Sequence, residues 1–112
     1  MKLGQKQNLF TWLEPLLIDK AHELGFEVRR LDTFRDPRAH GDYGELVGYS
    51  KAYSMHKLKI ACDLALILNY VYLQDDESYR ELGEWWESLH YLCKWGGEGD
   101  GNHFSLTHDE RW

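Results

Sequence analysis

Ile60-Ala61-Cys62-Asp63-Leu64-Ala65-Leu66-Ile67-Leu68 is apolar at every position but one. A short, nearly continuous apolar run fits a strand buried in the middle of a sheet. Asp63 inside it needs a reason, because a buried carboxylate is costly unless it is paired or bound to metal. Two imidazoles offer one. His56 precedes the run in Ser54-Met55-His56-Lys57-Leu58-Lys59, and His103 follows in Asp100-Gly101-Asn102-His103-Phe104.

Outward from that strand the chain alternates in type. Leu9, Leu13, Leu16, Leu17, Ala21 and Leu24 recur at three- and four-residue spacing, which predicts an amphipathic helix over 8–24. Thr11 and Glu14 have capping-box spacing, and Pro15 suits a helix start but kinks an interior. The helix is therefore expected either to begin near Thr11 or to bend at Pro15, and Gly25 supplies its stop. Residues 26–31 partly alternate and predict a strand. Asp36 to Tyr53 carries Pro37, Gly41, Gly44 and Gly48 and reads as a long loop, of the kind usually functional or disordered in a small domain. Helical spacing returns from Glu77 to Lys94 through Tyr79, Leu82, Trp86, Leu89 and Cys93. Gly96-Gly97 ends it, and residues 103–107 close as a strand. The order α, β, loop, β, α, β predicts a small α+β domain, 1–112, with a mostly antiparallel sheet flanked by helices.

Composition narrows the partners. A formal net charge of -6 and the lack of a basic stripe argue against nucleic acid. Nothing approaches the roughly 18 apolar residues of a membrane span. Residues 1–8 carry Lys2 and Lys6 but no apolar run of signal-peptide length, so the expected compartment is the cytoplasm. Cys62 and Cys93 form no C-x-x-C pair, which disfavours a thiolate zinc site; they read as small buried hydrophobes kept reduced. Five Trp and seven Tyr suit both a core and a groove wall. Trp85 and Trp86, adjacent on one helix, read as core and rim rather than as a substrate platform.

His56, Asp63 and His103 are thus candidate metal ligands. Catalytic zinc typically takes three protein ligands and leaves a fourth position for water. Asp100, three residues before His103, can serve beside such a water as general base. The set reads as a zinc hydrolase. Each residue also has a plainer reading. An isolated His56 is more often structural, and Asp100 in Gly99-Asp100-Gly101-Asn102 has turn composition. His22, His40, His90 and His108 read as surface or helix-face residues, with His40 set apart by its place in the long loop.

The pattern S54-x-H56, A61-x-D63-L64, W95-G96-G97 and D100-x-x-H103-F104 resembles the M15 zinc peptidases, which share a fold with the D-Ala-D-Ala metallopeptidases and Hedgehog signalling domains. The likeness runs from about Phe10 to Phe104 and looks closest to small phage-encoded endolysins. It implies a monomer whose cofactor is Zn²⁺, with His56, Asp63 and His103 as ligands and Asp100 as base. It further implies that Arg35 meets a substrate carbonyl or carboxylate, although Arg35 beside Asp32 and Asp36 also reads as a solvated charge. Ser54 matches a serine that helps hold substrate. Three positions depart from the pattern: Lys59 stands where many members have Gly, Ala65 where the phage subgroup often has Asn, and Ser105 where Glu is common. The implied substrate is the peptidoglycan stem peptide, cut between L-Ala and D-Glu, and a lysin without a signal would reach the wall through a holin. Two further classes stay open: a D-Ala-D-Ala carboxypeptidase or dipeptidase, and a non-catalytic zinc-bearing module on the same fold.

Overall fold

The computed structural model describes residues 1–31, 42–45 and 52–112. Helix α1 spans Leu3–Glu23 and strand β1 Glu27–Arg30. A 3-10 turn over Met55–Leu58 precedes strand β2, Ala61–Leu68, and strand β3 follows at Val71–Leu73. A second 3-10 turn, Asp76–Tyr79, leads into helix α2, Arg80–Leu89; strands β4, Cys93–Trp95, and β5, His103–Leu106, complete the order. The sheet runs β1-β2-β5-β4, with β3 also on β2, and every pairing is antiparallel. This is the expected α+β class, and the Ile60–Leu68 run is its central strand.

The core explains why. α1 buries Phe10, Leu13, Leu17 and Ala21 in one cluster with β2 residues Leu64 and Leu66 and with Trp86 of α2. Of the expected stripe Leu13, Leu17 and Ala21 are buried, Leu9 and Leu24 half-buried, and Leu16 exposed. Trp86 is fully buried, with Phe10 (centroids 6.1 Å, 80°) and Phe104 (6.5 Å, 89°) both edge-on to its indole. Its Nε1 donates to Ser105 O at 3.1 Å, so the one polar atom of the ring is satisfied. Burying such rings is worth about 1.5–3 kcal/mol each. Trp85 packs at the rim of this cluster.

Three local readings differ from the structure, and a fourth falls mostly outside the described residues. α1 begins at Leu3 rather than near Thr11, with Pro15 inside it. The start is fixed by Lys2 N donating to Gln5 Oε1 at 2.8 Å, not by Thr11 and Glu14. The proline's missing N–H leaves the carbonyl of Thr11, an exposed residue that water can reach. Lys6 continues the buried stripe with its stem, its Nζ donating to Thr107 O at 2.8 Å and lying 3.1 Å from His108 Nδ1.

The segment Glu77–Lys94 is not one helix. Its α-helical part ends at Leu89, because His90 turns extended (φ -158, ψ 147) and Cys93–Trp95 pairs with β5. Trp95 then folds back onto α2 at Gly83, where a Cβ would meet the indole at 2.2 Å. β3 was not expected at all. It follows a two-residue hairpin turn at Asn69-Tyr70, both with positive φ (51 and 66), which suits the twist of paired strands. Finally, most of the expected loop from Asp36 to Tyr53 lies outside the described residues.

Candidate metal centre

The ladder places two of the three expected ligands. In the β2–β5 register Asp63 stands directly opposite His103, so their side chains leave the sheet on one face as near neighbours. His56 arrives by a different route. The 3-10 turn over Met55–Leu58 is capped by Ser54, whose Oγ accepts from His56 N at 3.2 Å. The turn leaves through Lys59 in a left-handed conformation (φ 61, ψ 32), after which Ile60 enters the sheet by accepting from Leu106 N at 2.9 Å. Lys57, buried beside His56, donates to the carbonyls of Asp42 and Glu45.

The three side chains converge. His56 Nε2 lies 3.2 Å from Asp63 Oδ1 and His103 Nδ1 lies 3.1 Å from the same oxygen. One ligand atom from each of the three lies within 4.8 Å of the others. Two ligands bound tetrahedrally to zinc at about 2.0–2.1 Å stand roughly 3.4 Å apart, close to these separations. The imidazoles are 1% and 6% exposed, and their rings meet at 68° with centroids 5.1 Å apart. A set of two imidazoles and one carboxylate suits zinc and its neighbours among the divalent ions. Burial alone would raise the Asp63 pKa, but hydrogen bonds from His103 and His56, and their charge, outweigh it and hold the carboxyl well below the usual range. The group is therefore a carboxylate, the form a metal needs. Among the described residues His103 Nε2 is buried without a hydrogen-bond partner.

Asp100 is held differently. It is exposed, on the turn between β4 and β5. Its N–H donates to Gly97 O at 3.0 Å, and its carbonyl accepts from His103 N at 3.1 Å. A Cβ on Gly96 would lie 3.0 Å from both the Asp100 and the His103 Cβ and 2.1 Å from Asp100 O. Asp100 therefore stands beside His103, outside the three-residue cluster, and only glycine fits at position 96. An open groove of about 620 Å³ borders Asp100, with Tyr53, Arg111 and Trp112 on its walls. The Arg111 guanidinium lies 4.3 Å over the Tyr53 ring.

Of the other expected site residues, Ser54 is buried with its hydroxyl oxygen on the His56 backbone, while Arg35 and His40 lie outside the described residues. His22 is exposed, His90 Nδ1 accepts from Leu92 N at 3.1 Å, and His108 sits against Lys6. Both cysteines are free and buried; burial, then Glu14, pushes the Cys62 thiol up, and burial pushes Cys93 up to about 12. The sequence reading passed over Asp76 and Arg111. Asp76 is hidden in an ordinary acidic run, Asp75-Asp76-Glu77, and Arg111 reaches the groove only because the chain turns back through a His108–Arg111 bridge.

Among the described residues no helix is long and apolar enough to cross a membrane. Comparisons of the chain with protein-family models, with curated proteins and with solved structures return no match.

Proposed function

We propose that the protein is a zinc-dependent peptidase that cuts the stem peptide of bacterial peptidoglycan between L-Ala and D-Glu, in the manner of a small endolysin. The observation that carries this reading is the convergence of His56 Nε2 and His103 Nδ1 on Asp63 Oδ1, with Asp100 beside His103. The left-handed Lys59 adds support, since the resembled pattern often has glycine there.

A zinc ion held by His56, Asp63 and His103 would supply Lewis acidity, lowering the pKa of water and polarising a carbonyl. The remaining work falls to the chain. Asp100 takes a proton from the attacking water as its oxygen bonds to the scissile carbon. It returns that proton to the nitrogen as the C–N bond breaks, so the products are a carboxylic acid and an amine. Arg35 is assigned to the developing oxyanion or to the substrate carboxylate, where its planar fork serves better than lysine. Ser54 holds the His56 turn and, by the resemblance, substrate.

Digestion of purified peptidoglycan with the zinc-loaded protein tests the reading, with new amino termini identified by mass spectrometry. The expected product carries D-Glu amino termini, and permeabilised Gram-negative cells should clear. Release of free D-Ala without new D-Glu termini would move the assignment to a carboxypeptidase. Zinc binding with no cleavage of any stem peptide would favour the non-catalytic module.

A further inference from the structure

The turn that carries Asp100 is bound to a distant part of the chain by a single carboxylate. Asp76 Oδ2 accepts from Gly99 N at 2.7 Å, and Asp76 Oδ1 accepts from Gly101 N at 2.9 Å. These two peptide groups flank Asp100 on either side. The neighbouring Asp75 does something else: its carboxylate accepts from Ser78 N at 3.1 Å and Ser78 Oγ at 2.7 Å, capping its own 3-10 turn. The two adjacent aspartates thus divide their tasks, one local and one reaching across more than twenty residues of sequence.

Both ends of the contact are shaped for it. A Cβ on Gly101 would stand 2.6 Å from Asp76 Oδ1 and 2.8 Å from its Cα, so glycine is required for the approach. The carbonyl of Gly101 is held by Trp95 Nε1 at 2.5 Å, and Trp95 is itself locked over Gly83. The donor on one side of Gly101 and the acceptor on the other are therefore both fixed by residues outside the turn. Charge-assisted bonds to a carboxylate are roughly twice as strong as neutral ones. Besides that hold, Asp100 is placed by its own backbone bonds, its N–H to Gly97 O and its carbonyl to His103 N.

We propose that Asp76 is the positioning residue for Asp100: its two-pronged hold on Gly99 and Gly101 sets where the Asp100 carboxylate stands relative to His103. The inference rests on the reading of Asp100 as base. It adds that the base is aligned from the 3-10 turn that precedes α2 as well as from His103 of β5. Asparagine at position 76 would keep one acceptor but turn an NH₂ toward the second amide, breaking one prong without altering size.

Asp76→Asn should therefore lower kcat by about 10- to 100-fold, the cost of a misplacement on the order of 1 Å. KM and zinc affinity should stay near wild type, because His103 is held by β2 and β4. The amides of Gly99 and Gly101 should exchange with solvent faster, which nuclear magnetic resonance reads residue by residue. Asp75→Ala, which removes the neighbouring cap, should lower stability and leave kcat unchanged. Wild-type kcat in Asp76→Asn, or an equal loss in Asp75→Ala, would overturn the proposal. So would unchanged exchange at Gly99 and Gly101. A wild-type protein that binds zinc and cuts nothing would sink the peptidase reading instead, and the exchange measurement would still decide whether Asp76 holds the turn.

Discussion

His103 and Asp100 lie three residues apart, yet the fold treats them in opposite ways. His103 is buried in a β-ladder opposite Asp63, with its neighbours Gly96 and Leu64 bonded into the same sheet region. Asp100 is exposed on a turn with glycine at 96, 97, 99 and 101, held by backbone contacts and by Asp76. The placement of Asp63 and His103 is thus a property of the sheet, that of His56 a property of its own capped 3-10 turn, and that of the proposed base a property of the β4–β5 turn. Metal binding and catalysis should come apart under mutation.

The sharpest break is expected at the proposed ligands. His103→Ala or His56→Ala should reduce zinc affinity by on the order of 100-fold or more, since even the outer partners of metal ligands are worth 10–100-fold. Hydrolysis should disappear with the metal. Equilibrium titration against a competing chelator checks the first effect and peptidoglycan digestion the second.

On the turn side, Asp100→Asn should leave zinc affinity unchanged and lower the hydrolytic rate by about 10²–10⁴. Near-wild-type turnover would reduce Asp100 to a turn residue, and loss of zinc would make it a ligand.

Gly96→Ala tests the seam between the two regions. The added methyl meets Asp100 O at 2.1 Å, backbone that can yield only by moving the turn. A destabilisation of about 1–3 kcal/mol is expected. That corresponds to a fall in Tm of roughly 4 °C or more, readable by thermal denaturation.

The pattern of legibility follows the same division. The central strand and the grouping of Asp63 with His56 and His103 were readable because a lone carboxylate in an apolar run has few explanations, while the register that sets Asp63 opposite His103 was not. The first helix was readable as a stripe and at its Gly25 stop but not at its start, since Lys6 lends a buried stem that composition counts as polar. Cys93 misled because four residues after Leu89 satisfies helix spacing as well as the start of a strand. β3 was hidden by Tyr70, which occupies a turn position where glycine is the usual signal. Asp76 was illegible for a simpler reason: nothing local distinguishes it from Asp75, and only the fold brings it to Gly99 and Gly101.

The smallest expected effect is an absence of reaction. Burial holds both thiols protonated, Cys93 up to about 12 and Cys62 well above its usual value. Because the thiolate is the reactive form, neither should be labelled by a disulfide reagent near pH 8 in the folded protein. Two equivalents should react after denaturation, measured by absorbance.

The central claim, that His56, Asp63 and His103 hold one divalent ion, is tested most directly by calorimetric titration of zinc into metal-stripped protein. The expected isotherm saturates at one ion per chain and vanishes in the double variant His56→Ala/His103→Ala, while Asp100→Asn retains it. No binding by the wild-type chain, or equal binding by the double variant, would contradict the account.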